Sequence, residues 1–192
     1  THPAATVYAF EPIPETFQKL SRNIALNNFN NIHAYNIAFS EKNQELKFYY
    51  SPQQTGASSS RKITENQDII ELICNSLTID HFVNIHTINK LDFIKCDVEG
   101  AELFIFQGAK KIIEKFKPII CTEMLRKWAA KFDYHPNDII SLFTDIGYSC
   151  FFVENKKLVE IKKIDETTIP TNFFFLHTQK HTKQLKEHFC EI

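Results

Sequence analysis

The stretch Leu91-Asp92-Phe93-Ile94-Lys95-Cys96-Asp97-Val98-Glu99-Gly100 decides how the chain is read. It starts apolar, ends acidic and turns at a glycine. Leu91–Val98 reads as a strand, Glu99-Gly100 as a turn, and the residues from there to about Phe116 as a helix. The next apolar run, Pro118-Ile119-Ile120-Cys121-Thr122-Glu123, reads as a second buried strand. Parallel neighbours in a sheet need a crossover long enough to hold a helix, so strand–turn–helix–strand points to a parallel pair.

The same alternation extends toward the N-terminus. Val7-Tyr8-Ala9-Phe10 is a short run of strand formers stopped by Glu11-Pro12. From Pro14 to Asn28 the apolar residues Phe17, Leu20, Ile24 and Leu26 approximate a helical stripe that ends in Asn27-Asn28. Ile32–Phe39 reads as one strand. Glu45–Tyr50 alternates Leu46, Phe48 and Tyr50, the period of a half-exposed strand in a hairpin-like excursion. Residues 51–73 are polar and read as a loop, expected to be mobile, and Leu77–Val83 as a strand-to-helix step carrying Asp80. Toward the C-terminus, Asn137–Ile146 reads as an amphipathic helix ended by Gly147. Tyr148–Val153 and Asn172–Leu176 read as strands with no room for a crossover helix, hence an antiparallel pair at the sheet edge. Lys180–Ile192 is a polar, partly helical tail. The expected class is α/β, a mostly parallel sheet covered on both faces, in one domain over residues 1–192.

Composition narrows the function. The 192 residues are 43% hydrophobic and 23% charged, which fits a globular domain. Twenty-two basic residues against 23 acidic ones leave a net charge of -1, with no electrostatic case for nucleic acid. No apolar run approaches a membrane span. The five cysteines are odd in number and lack CxxC spacing, which favours a reducing, cytoplasmic compartment over a disulfide framework. Eighteen Phe against one Trp reads mainly as a bias of the source genome.

In an open α/β sheet, ligands sit beyond the carboxyl ends of the strands. Four acidic residues stand there: Glu11, Asp97, Glu99 and Glu123. A carboxylate at a strand end can accept both hydroxyls of a ribose; it can equally complement a helix dipole, and for Glu11 both readings stand. In Asp97-Val98-Glu99-Gly100-Ala101-Glu102, Gly100 suggests a close backbone approach, and Lys95 shares a strand face with Asp97. Capping accounts for Glu99 and Glu102 better than for Asp97 and Lys95. His177 and His181 have helical spacing but no third ligand, and are expected to be solvated, so no metal site is expected. Ser58-Ser59-Ser60 reads as loop.

These residues resemble a family. Glu11-Pro12 after its strand, Asn36-Ile37-Ala38, Leu77-Thr78-Ile79-Asp80, the Lys95…Glu102 run, Gly108-Ala109 and the Pro118…Glu123 strand together are similar to the FkbM-type branch of the class I S-adenosylmethionine-dependent methyltransferases. The resemblance runs in order over residues 5–125. It implies a Rossmann-like, doubly wound sheet with a final antiparallel strand. S-adenosyl-L-methionine would be the cofactor, with Glu11 on its ribose hydroxyls, Pro12, Ala38 and Phe39 around the adenine, and Asp97 near its methionine end and methyl group. It further implies O-methylation of a sugar or other small hydroxylated acceptor. Asp97 and Glu99 are then the candidates to assist the acceptor hydroxyl, with Lys95 as an orienting charge.

The chain departs from the family in one respect: the glycine-rich cofactor loop and the strand before it have no counterpart, and no Gly-x-Gly occurs. Residues 1–192 are therefore expected to form the C-terminal part of a methyltransferase domain, truncated at the N-terminus or completed by a partner chain such as a homo-oligomer, and to bind the cofactor poorly alone. Two other functions compete, a nucleotide-dependent dehydrogenase and a catalytically degenerate domain kept for assembly.

Overall fold

The computed structural model describes residues 4–50 and 69–188. Thr1-His2-Pro3, most of the 51–73 loop with Ser58-Ser59-Ser60, and Cys190 lie outside the described residues. The chain resolves into two compact units, one up to Thr78 and one from Ile79 onward.

The first unit begins with β1 (Val7–Phe10), α1 (Pro14–Leu26) and β2 (Ile32–Tyr35), and β1 and β2 pair in parallel from Val7↔Ile32 to Phe10↔Tyr35. Pro14 opens α1, where a missing N–H leaves no bond unmade. The strand expected over Ile32–Phe39 is broken in two. The Asn36 side chain donates to the carbonyls of Glu11 (2.8 Å) and Pro12 (2.9 Å), which draws the backbone out of the β1 ladder. The short β3 (Ala38–Phe39) then pairs with β5 (Ile70–Leu77), which pairs antiparallel with β4 (Gln44–Tyr50). The hairpin-like excursion is thus a three-stranded ladder, and β5 takes over the end of the segment expected to be loop. Its core is Ile13, Ala38, Phe48, Tyr50 and Cys74.

The second unit opens with α2 (Ile79–Ile85), β6 (Phe93–Cys96), α3 (Glu102–Gln107), α4 (Lys110–Phe116) and β7 (Ile119–Glu123). The single helix expected after Gly100 is two, parted at Gly108-Ala109. Asp80 accounts for the break: its carboxylate accepts from Ile112 N (2.9 Å) and Lys111 N (3.3 Å), capping α4 from another helix. Next come α5 (Arg126–Ala129), a 3-10 turn (Ala130–Phe132), α6 (Pro136–Thr144), β8 (Tyr148–Glu154), β9 (Lys157–Glu160), β10 (Asn172–His177) and α7 (Thr182–His188). α6 stops at Thr144 with Asp145 as its C-cap, two residues short of the expected end, and Gly147, at φ +85°, lies in the turn that leads into β8.

The five-stranded order is β6-β7-β10-β8-β9. β6 and β7 are parallel, and β10 runs antiparallel to both β7 and β8. The expected antiparallel strand is present, but between its neighbours and not at the edge. The edge belongs to β9, whose Lys-Leu-Val-Glu run is too short and charged to stand out. The abundant Phe forms the core. Phe143 packs against Phe106 (4.9 Å between centroids), Phe175 (4.5 Å) and Tyr148 (5.5 Å), all buried. Each fully buried ring of this size contributes roughly 1.5–3 kcal/mol of transfer free energy.

Candidate functional site

Glu11, Pro12, Ala38 and Phe39 lie in the first unit, and Lys95, Asp97 and Glu99 in the second. In the first, β1 delivers Glu11 to its carboxyl end, where the chain must bend into α1. Ile13, wholly buried, donates its N–H to Glu11 Oε1 at 2.8 Å. No described residue donates to Oε2. Two contacts fix this corner from behind: the Asn36 amide, and the Cys74 thiol donating to the Pro12 carbonyl at 3.2 Å. Burial lifts the Glu11 carboxyl above its ordinary range, and the Ile13 bond only partly offsets this. Ala38 is buried opposite Ser76, and the Phe39 ring meets Phe10 edge-on at 4.5 Å.

In the second unit, β6 ends at Cys96, paired in register with Thr122 of β7, so Asp97 leaves the sheet level with Glu123, the last residue of β7. Lys95 Nζ pairs with Asp97 Oδ2 at 2.8 Å, both about half exposed. Burial pulls the ammonium down, but Asp97 holds it above its usual value. Glu99 sits at φ +56° and Gly100 at φ +107°. A non-glycine residue in the left-handed region carries strain on the order of 1 kcal/mol, held in place by its surroundings. Burial raises the Glu99 carboxyl, with Glu123, Asp97 and Glu102 adding to the rise and Lys127 opposing it.

The close approach expected at Gly100 is there. A Cβ at this position would lie 2.8 Å from the Trp128 carbonyl oxygen and 2.9 Å from the Phe132 ring. Only glycine lets the turn and the segment after β7 touch.

Glu102 is more than the capping acid expected of it. It is 3% exposed, and its Oε1 accepts from Val98 N (3.1 Å) and Gly100 N (3.2 Å) while Oε2 accepts from the Tyr134 hydroxyl (3.2 Å). Burial lifts its carboxyl despite these donors. The same carboxylate, with burial leading, drives the Tyr134 phenol upward. Tyr134 was not legible beforehand; its partner lies 32 residues away and no spacing rule links them.

His177 and His181, expected to be solvated, are 4% and 5% exposed. His181 Nδ1 accepts from His177 N at 2.9 Å, and His177 Nδ1 accepts from Gln179 N at 3.2 Å, so both rings are structural acceptors. Among the described residues no group of three His, Cys, Asp or Glu is placed to hold a metal ion, and no helix is long and apolar enough to cross a membrane. Cys74, Cys96, Cys121 and Cys150 are free thiols, all buried.

Comparison with known proteins bears on the family and the fold. A crystal structure of methyltransferase FkbM from Methylobacillus flagellatus KT superposes with a TM-score of 0.51 at 18% identity, covering 88% of this chain and 36% of that one, which supports the shared fold. "Methyltransferase 1" of Beauveria bassiana (strain ARSEF 2860) is 25% identical over 124 residues, 56% of this chain. The chain spans about half the length of that relative, 50%. The model of the methyltransferase FkbM domain matches residues 2–150, which include every site residue above. The chain belongs to the methyltransferase FkbM domain family.

Proposed function

We propose that the chain is part of an S-adenosylmethionine-dependent O-methyltransferase acting on a sugar or another small hydroxylated acceptor. The observation that carries the cofactor reading is the Glu11 corner. One carboxylate oxygen is fixed by the Ile13 N–H, the other receives no bond from a described residue, and the backbone behind is pinned by Asn36 and Cys74. A fixed, half-buried carboxylate with an open oxygen suits a ribose diol, and Ala38 and Phe39 offer apolar surface of the kind an adenine packs on. The cofactor supplies a sulfonium-bound methyl group.

The chain's own part is to orient the acceptor and take its proton. A sugar hydroxyl is a weak nucleophile, so a carboxylate accepting its proton as the carbon–oxygen bond forms speeds transfer. Glu99 suits that role better than Asp97. Its carboxyl is raised and it has no ion-pair partner among the described residues, whereas Asp97 is engaged by Lys95. Asp97 and Lys95 then serve as fixed charges that orient. A reducing, cytoplasmic setting is part of the same reading and is supported by the four buried free thiols.

Calorimetry of the complete protein with S-adenosylmethionine tests this. Binding that Glu11→Ala weakens tenfold or more, about 1.4 kcal/mol, is expected. Absence of binding at millimolar cofactor overturns the proposal.

A further inference from the structure

Glu99 owes its place to its neighbours. The two backbone N–H groups that Glu102 Oε1 gathers belong to Val98 and Gly100, the residues on either side of Glu99. One buried oxygen thus bridges the amides flanking a residue held at φ +56°. The other oxygen reaches the Tyr134 hydroxyl, so the turn is also tied to the chain that follows β7. Phe104 reinforces that tie, lying 6.0 Å from Phe132 and edge-on to Tyr134 at 6.1 Å, and a Cβ added at Gly100 would collide with both Trp128 and Phe132. As a carboxylate Glu102 accepts from all three; a neutral carboxyl would keep both amides on Oε1 and reverse the third bond, Oε2–H donating to the Tyr134 oxygen.

We propose that Glu102 is a positioning residue for Glu99: its buried carboxylate holds the Val98–Gly100 turn so that the Glu99 side chain stands at the strand-end rim, and Tyr134 anchors Glu102. The inference rests on the reading of Glu99 as the proton acceptor, but its test does not need an acceptor. Glu123, Asp97 and Lys127 also act on the Glu99 charge, and so does the charge of Glu102 itself, so the test must separate geometry from charge.

The experiment follows the Glu99 carboxyl by carbon-13 NMR in the complete protein with labelled glutamate, the signal being assigned with Glu99→Gln. Glu102→Ala frees the turn, and the Glu99 titration is expected to fall toward the ordinary carboxylate range as the side chain reaches solvent. Glu102→Gln keeps an oxygen for the two amides but removes a charge that is the smallest of the three carboxylate influences on Glu99, so the titration is expected to fall, but by clearly less than in Glu102→Ala. Tyr134→Phe, which removes one donor of three, is expected to give a smaller fall and serves if Glu102→Ala does not fold. An unchanged titration in a folded Glu102→Ala, an equal fall in Glu102→Gln, or no effect of Tyr134→Phe overturns the proposal. Failure of the function itself appears separately, as an unmodified protein that does not bind S-adenosylmethionine in calorimetry while the Glu99 titration still responds.

Discussion

Glu11 follows a strand and Glu102 opens a helix, but both are carboxylates lifted by burial, and both accept a backbone N–H two residues away. Their surroundings divide them. Glu102 receives three donors and has none of its acceptor capacity turned outward. Glu11 receives one, on one oxygen. A buried acid whose bonds are all met by its own chain is a structural part, while one left half-met is available to a ligand. Counting acids in the sequence cannot tell them apart; counting donors in the structure can.

The largest effect expected in the second unit is at Gly100. Alanine there would need a left-handed φ and a Cβ under 3 Å from a carbonyl oxygen and an aromatic ring. Gly100→Ala should lower stability by about 3 kcal/mol in urea denaturation. A loss below about 1 kcal/mol would show that the segment after β7 yields easily and that the turn is not clamped. Next comes the direct contrast. Glu102→Ala strands three buried donors and should lose about 2–3 kcal/mol. Glu11→Ala strands one and should lose about 1 kcal/mol or less, its main effect appearing in cofactor affinity. Reversed stabilities would break the distinction between the two acids.

Smaller effects follow from pH. A carboxyl raised by burial binds more protons folded than unfolded, so stability declines as pH rises from the unfolded value of about 4.5 through the folded one. Glu102→Gln should flatten that decline. His177 and His181 act in the opposite sense. Burial lowers both, with nearby lysines adding to it, so the unfolded chain binds more protons and stability is lost as pH falls below about 6.5 toward their folded values. A urea midpoint lower at pH 5.5 than at pH 7.5, with the difference reduced in His181→Gln, is the expected result. Smallest of all is Lys95→Ala. Its ion pair is half exposed and screened by solvent, so stability should change by less than about 0.5 kcal/mol.

Much of this was legible because the signals were local. Val7–Phe10 ends at Glu11-Pro12, Ile119–Glu123 is a continuous apolar run, and Gly100 stands where a strand must turn; each can be read without knowing what packs against it. The rest depended on distant partners. Asn36 splits a strand by bonding to carbonyls more than twenty residues earlier. Asp80 splits a helix from another helix. The burial of His177 and His181 follows from the loop they stitch, and Ile70–Leu77 hid in polar surroundings because alternate residues face solvent. For the site, residue types and strand-end positions were readable, but the roles of Glu102 and Tyr134 were not, since hydrogen-bond satisfaction is a three-dimensional property.

The place of β10 governs the order in which the second unit is assembled. Its partners β7 and β8 leave the ribosome before it does, and until Asn172–His177 follow, each presents an unsatisfied flank. During synthesis those flanks are open to pairing with other nascent chains. Completion of the ladder is therefore a late, long-range event, and a polypeptide stalled before residue 172 would carry its Phe-rich interior exposed to the cell.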